Sequence, residues 1–356
     1  MRIAFYHYSL PQAGRKPGGV EVFVDRLADA LVRSGHEVTV FTYARPSEPR
    51  SYAIELLRPA RAARSALLRQ YVASWQFNVR PFDRSFDVVH LHGDDWFFWR
   101  RKLPSVRTFY GSAVFEAATA TSWKRRLNSS VIFVLELVAA RRADAVYGIG
   151  ADSRALFAAD GVLGLGVHDV AETSPHDETS PPVILFVGTW EGRKRGRMLR
   201  DAFVETVRPR VPDAELWMVS DHAEQSPGVT WFEHPSDAEL ADLYARASVF
   251  CLPSSYEGLG IPYIEAMAHG LPVVATPNLG AIEVLRDGQF GLMTEARELG
   301  ASLVAVLTDQ RVRERLAAAS RQRAATFTWS RVLEEYEEAY RLAIERFDLE
   351  HPRSRS

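Results

Sequence analysis

Two glutamates, Glu257 and Glu265, stand eight residues apart in Pro253-Ser-Ser-Tyr-Glu257-Gly258-Leu259-Gly260-Ile-Pro262-Tyr-Ile-Glu265-Ala266. The apolar run 247–252 before them reads as a strand, and 262–269 reads as a helix. This order predicts Glu257 in a loop at the carboxyl edge of a sheet and Glu265 about one turn into the helix. Between them, Gly258 and Gly260 let the backbone come close to a ligand, and the helix N-terminus offers free N–H groups that suit a diphosphate. The pair fits a nucleoside-diphosphate sugar, with Glu257 on the sugar hydroxyls and Glu265 accepting from the ribose. The plainer alternative is a capped helix whose acidic residues are solvated.

A second cluster points to the same chemistry. Gly188-Thr189-Trp-Glu-Gly-Arg193-Lys194-Arg195-Gly196 sets three consecutive cations after another strand-like run, 182–187. A leaving diphosphate gains negative charge as a glycosidic bond breaks, and fixed cations stabilise that charge in the transition state. A solvated basic loop is the competing reading. Near the N-terminus, Gly18-Gly19-Val20-Glu21 opens a helix and offers backbone N–H groups to a phosphate or an acceptor. It is not the dinucleotide fingerprint, because no Gly-x-Gly-x-x-Gly follows the first strand, and Gly164-Leu-Gly166 mimics one only in part. His90-Leu-His92-Gly-Asp94-Asp95 has two histidines on one strand face, as zinc sites do, but Asp95 stands where a third histidine belongs. His92 is therefore read as a polar residue lining the acceptor side of a cleft, or as half of a satisfied core pair.

These residues need scaffolds, and the chain has length for two. At 356 residues, 47% hydrophobic and 25% charged with a net charge of −2, it is an ordinary globular composition with no sign of nucleic-acid binding. The single cysteine, Cys251, excludes an intramolecular disulfide, and the first residues lack a signal peptide's layout, so a cytoplasmic location is expected. The longest apolar stretch, 131–140, falls well short of the roughly 20 residues that span a bilayer.

Strand, glycine loop, helix and strand follow one another over 3–42, and again over 182–219. Further buried strands are expected at 86–91, 105–109, 144–149 and 272–276, and Ser236 with Glu239 forms a capping box. The alternation predicts two Rossmann-like, doubly wound parallel sheets facing each other across a ligand cleft. The polar, proline-rich 172–182 marks the boundary: an acceptor domain at 1–170 and a nucleotide-sugar domain at 171–328. A long helix at 329–347 and a disordered tail at 348–356 follow. Two basic-apolar stretches, 58–77 and 123–142, suit either packed helices with solvated arginines or the surface of an anionic membrane.

Taken together, the chain resembles the retaining glycosyltransferases of family 4, which have the GT-B fold. The Gly18-Gly19 loop, the basic loop and the Glu257-x7-Glu265 pair carry the resemblance, with Gly280-Ala-Ile-Glu283, Asp287-Gly288-x-x-Gly291-Leu292 and Phe327-Thr-Trp-Ser330 after them. It implies that Lys194 or Arg195 holds the donor diphosphate, with Arg193 and Thr189 in the same loop. It further implies that Glu257 contacts the transferred sugar, that Gly258, Leu259 and Gly260 lie on the phosphates, and that Glu265 lies on the ribose. The C-terminal helix is expected to cross back to the N-terminal domain. Transfer is expected to retain the anomeric configuration without metal or cofactor, onto a glycan, a lipid-linked or a small-molecule acceptor. The basic-apolar stretches leave two settings open, peripheral association at the inner membrane face and a soluble acceptor with solvated arginines. Two positions depart from the family. Thr189 replaces the usual arginine of the basic loop, and Tyr110, in Thr108-Phe-Tyr-Gly111, replaces a histidine near the reacting centre. They keep open two alternatives: a sugar-nucleotide epimerase or hydrolase of the same fold, and a catalytically silent sugar-nucleotide binder.

Overall fold

The computed structural model describes residues 1–12, 18–57, 66–79, 85–99, 102–114, 122–167, 181–258 and 260–352. It comprises two compact units, Met1–Gly166 with Ser330–Ser356, and Val167–Trp329. Most of the 172–182 segment expected as a linker lies outside the described residues.

The first unit is built on a seven-stranded sheet: β1 (Arg2–Tyr6), β2 (Glu37–Thr42), β3 (Ala53–Leu56), β4 (Val88–Leu91), β5 (Ser105–Phe109), β6 (Ala145–Gly148) and β7 (Gly161–Val162). Their order is β3-β2-β1-β4-β5-β6-β7, and every pairing is parallel. β4, β5 and β6 are buried throughout, as central strands of a parallel sheet are, although β4 buries His90 and β5 buries Ser105, Arg107 and Thr108 among their apolar residues. The first helix, Gly19–Arg33, buries Phe23, Val24, Leu27, Ala28 and Leu31, the face that its spacing predicts.

The long helix Trp329–Glu350, from Ser330 onward, packs as part of this unit. It buries Val332, Leu333, Tyr336, Tyr340 and Ala343. Gly164 donates its N–H to Glu335 at 2.8 Å, and Arg346 clasps both oxygens of Asp160 at 2.9 and 2.7 Å. A side chain at Gly164 would meet Val332 at 3.0 Å, so this glycine serves close packing against the helix and not a phosphate loop.

The second unit holds β8 (Val183–Val187), β9 (Glu215–Val219), β10 (Val229–Phe232), β11 (Val249–Leu252), β12 (Val273–Ala275) and β13 (Leu292–Met293). The order is β10-β9-β8-β11-β12-β13, again all parallel. In each sheet the winding reverses at one point, between β1 and β4 in the first unit and between β8 and β11 in the second. Loops diverge there at the carboxyl edge, which makes it the natural ligand position of an open α/β sheet.

Some details differ from the sequence expectation. The helix after the basic loop is α-helical only over Gly196–Ala202 and continues as a π-turn at Phe203–Val207. Edge strands β3, β7, β10 and β13 are short and half-exposed, so they lack the apolar run that marks a buried strand. The capping box at Ser236 forms: its hydroxyl accepts from the Glu239 N–H at 3.3 Å, and Glu239 accepts from the Ser236 N–H at 2.7 Å.

Candidate active site

In the second unit, the loops after β8 and β11 meet at the switch point. Ser255 donates its N–H to the Arg193 carbonyl at 2.8 Å, and Arg193 Nη1 donates to the Tyr256 carbonyl at 2.9 Å. Glu257 is thereby buried, with a side-chain exposure of 5%, between two cations. Lys194 Nζ lies 2.7 Å from its Oε1 and Arg193 Nη1 3.0 Å from its Oε2. The Glu257 carbonyl also accepts the Gly280 N–H at 3.0 Å, which joins the loop to the Leu279–Leu285 helix.

The glycines of the basic loop have packing duties. A side chain at Gly188 would meet Phe186 at 2.7 Å and Lys194 at 3.1 Å, so the lysine stem crosses directly over the end of β8. Arg195 takes a left-handed conformation, φ 56°, between the Gly192–Lys194 turn and the Gly196–Ala202 helix. Thr189, at the position where an arginine was expected, donates its hydroxyl to the Glu191 carbonyl at 2.9 Å and closes the loop on itself.

Gly260 stands at the start of the Ile261–Ala268 helix with φ +80°, and a side chain there would sit 2.4 Å from the Tyr263 ring. Both the backbone angle and the close approach require glycine. Pro262 occupies the first helical turn, where a missing N–H costs nothing. Glu265 lies one turn in and accepts from the Tyr244 hydroxyl at 3.2 Å, while Tyr244 stacks on His269. Asn278 ties this region together: it caps Ala281 at 3.0 Å and donates to the Ser254 carbonyl at 3.1 Å and to the Tyr263 hydroxyl at 3.2 Å. The motifs assigned no role to Asn278, Tyr244 or Tyr263. Leu259 lies outside the described residues, as do Arg58, Arg61 and Arg64 of the first basic stretch. Gly258 is half-buried.

In the first unit, the loops after β1 and β4 flank the other switch point. Gly18 precedes the Gly19–Arg33 helix, and its N–H donates to Glu21 Oε2 at 3.1 Å; Glu21 in turn accepts from Ser9. The Gly18 N–H is thus engaged by the protein, whereas Gly19 is exposed in the first turn. His92 and Tyr110 are brought together: His92 Nδ1 and the Tyr110 hydroxyl are hydrogen-bonded at 2.7 Å. His92 Nε2 is buried with no hydrogen-bond partner among the described residues. The neighbouring His90 is a satisfied core residue, meeting the Tyr340 hydroxyl at 2.9 Å and Thr108 Oγ1 at 2.8 Å. Burial lowers the pKa of His90 to about 3 and that of His92 well below its ordinary value, so both rings stay neutral at physiological pH.

Asp95, which breaks the zinc-like pattern after the two histidines, belongs to an ion pair. Asp95 accepts from Arg107 Nη1 at 2.6 Å, both side chains being essentially inaccessible. Among the described residues, no three His, Cys, Asp or Glu side chains form a group that could hold a metal ion.

A family model described as Glycosyltransferase Family 4 matches residues 17–162, and one described as Glycosyl transferases group 1 matches residues 181–309. The phosphatidyl-myo-inositol mannosyltransferase of Mycobacterium leprae is 27% identical over 355 residues, covering 91% of this chain and 93% of that protein. Among solved structures, a sucrose-phosphate synthase from Thermosynechococcus elongatus superposes with a TM-score of 0.76 at 20% identity, covering 96% of this chain and 98% of the other. The HepE protein of Anabaena, solved with UDP and glucose, superposes with a TM-score of 0.70 at 18% identity, covering 95% of this chain and 98% of that one.

Proposed function

Because the chain belongs to the group 1, family 4 glycosyltransferases with the GT-B fold, we propose that it moves a mannosyl group from a nucleoside-diphosphate sugar to an acceptor hydroxyl, with retention. The observation that carries the reading is the Glu257 carboxylate held between Lys194 and Arg193 at the switch point of β8 and β11. In the free protein Glu257 balances the two cations. A bound diphosphate supplies a second anion, which leaves Glu257 to engage sugar hydroxyls while Lys194 and Arg193 face the phosphates. As the anomeric carbon–oxygen bond breaks, the electron pair goes to the departing diphosphate, where the two cations stabilise it. Glu265, held by Tyr244, takes the ribose hydroxyls in this reading.

The mannosyl choice rests on the name of a relative similar over nearly the whole chain. The same likeness favours a lipid acceptor. Cys251, fully buried and unpaired, is compatible with a reducing compartment. In the first unit, His92, oriented by the hydrogen bond between its Nδ1 and Tyr110, supplies Nε2 as the polar atom for the acceptor side in this reading. The fixed cations do the work that a divalent ion does on a diphosphate elsewhere, so activity is expected without metal.

A thermal-shift panel of nucleoside-diphosphate hexoses tests the donor class. A ligand at a hundred times its dissociation constant adds about 2.7 kcal/mol. A nucleoside-diphosphate mannose should raise the melting temperature, and transfer should persist in EDTA. Transfer that EDTA abolishes and Mg²⁺ restores would overturn the metal-free mechanism, and a flat panel would overturn the donor assignment.

A further inference from the structure

Two helices of the first unit leave apolar faces uncovered. On Trp123–Ala140, the residues Trp123, Leu127, Val131, Val134 and Val138 are all exposed, from 38% at Val138 to 72% at Trp123. At 3.6 residues per turn these five positions fall within about 80° of the helix circumference. Ser129, Ala139 and Ala140 point the opposite way and are buried, so the stripe faces outward by construction. Beside it, the helix Ala66–Val79 exposes Leu68, Trp75 and Val79 on one face. Tyr71 of that helix donates to Asn128 Oδ1 at 3.1 Å, which sets the two helices next to each other.

Among the described residues of the Trp123–Ala140 helix and the two that follow it, the charges bordering the stripe are of one sign. Lys124 and Arg126 are exposed in the first turn, and at 100° per residue they flank the stripe on either side. Arg141 and Arg142 are exposed just past its last turn. Across both helices the sequence has one carboxylate, Glu136, and that side chain accepts from the Ala113 backbone N–H at 3.3 Å.

We infer that this face docks on an anionic lipid bilayer, with the Trp123–Ala140 helix lying in the plane of the interface. An apolar stripe bordered by cations and ending in an exposed tryptophan is the pattern of an interfacial helix, whose apolar side sinks about 5–10 Å into the headgroup boundary. No helix among the described residues is long and apolar enough to cross a membrane, so the contact is peripheral. A second copy of the chain is the poorer occupant. Whether two such helices packed parallel or antiparallel, cationic end would face cationic end, and like charges across an interface are unfavourable. The inference extends the reading of a lipid-linked acceptor and rests on it for its use, not for its physics.

Flotation of the full chain with phosphatidylcholine vesicles, with and without phosphatidylglycerol, at low and high salt, tests it. Binding should require the anionic lipid and weaken with salt. Replacing Lys124 and Arg126 with alanine should weaken partitioning about thirtyfold, at the contribution typical of basic residues near such a surface. V131E/V134E should abolish it. Melting temperature and the donor-induced thermal shift, measured on the same variants, should be unchanged because all four side chains are exposed. Absence of wild-type binding overturns the inference, as does undiminished binding by the folded variants. Concentration-dependent dimerisation lost in V131E/V134E, with no vesicle binding, would assign the face to a second copy. A flat donor panel alongside intact vesicle binding would sink the transfer reading and leave this one standing.

Discussion

Glu257→Gln should lower kcat by about 10²–10³, the scale on which an enzyme loses rate when one fixed group at the reacting centre is removed, while nucleoside-diphosphate affinity holds or rises. The reason is electrostatic. Glu257 sits 2.7 Å from Lys194 and 3.0 Å from Arg193, so its charge offsets the two cations proposed to hold the diphosphate. Glutamine keeps the shape and removes the charge, which leaves the cations more available to phosphate. Turnover and nucleotide binding therefore move apart, a pattern that simple unfolding of the site cannot give. Glu265→Ala makes the contrast: it should weaken nucleotide binding by the roughly 1.5–3 kcal/mol of a hydrogen bond to a charged group. Calorimetric titration with nucleoside diphosphate, paired with initial rates, reads both variants. Parallel loss of affinity and rate in Glu257→Gln, or unchanged nucleotide binding in Glu265→Ala, would contradict the assignment.

Asp95→Ala should be the most destabilising single change in the first unit, at about 3–5 kcal/mol. Asp95 and Arg107 sit on neighbouring segments, just after β4 and on β5, and their ion pair is sealed from solvent at 0% and 2% side-chain exposure. Arg107 also lies over the Phe109 ring at 4.7 Å, so the guanidinium has no route to water when its partner is lost. Burial pushes the Asp95 carboxyl up while Arg107 pulls it down, and the net displacement is upward. The pair is thus held by geometry at a desolvation cost, which means that removing both charges should be tolerated far better than removing one. Urea unfolding of Asp95→Ala and of an Asp95→Leu, Arg107→Met double variant checks this. The double variant should recover most of the loss. A single variant within about 1 kcal/mol of the parent would show that the arginine finds another partner.

The parts of the fold legible in the sequence are those where local pattern and burial agree. β8 and β11 are short apolar runs buried on both faces, so hydrophobicity alone marks them, whereas β5 buries Ser105, Arg107 and Thr108 between its apolar residues. Edge strands β3 and β10 carry mixed side chains because one face is wet, and β13 is only two residues long, so they left no comparable signal. At the site, Glu257, the basic loop and Gly260 could be found because glycine, proline and charge punctuate the end of an apolar strand. Their mutual pairing could not, since it depends on which strands are neighbours. Tertiary polar contacts were likewise hidden. Asp95 told against a metal site, because it stands where a third histidine belongs, but its ion-pair partner on the next strand could not be read from that spacing. His90 is satisfied by Tyr340, 250 residues away in the C-terminal helix, a distance at which spacing carries no information.

The central claim is acceptor-dependent, retaining glycosyl transfer, and the anomeric configuration of the product tests it most directly. The protein would be incubated with a nucleoside-diphosphate mannose labelled at the anomeric carbon and an acceptor lipid, and the one-bond carbon–proton coupling of the new glycoside measured by NMR. The account predicts a product with the donor's own anomeric configuration and none when the acceptor is left out. An inverted product, or free mannose released at the same rate with or without acceptor, would contradict it.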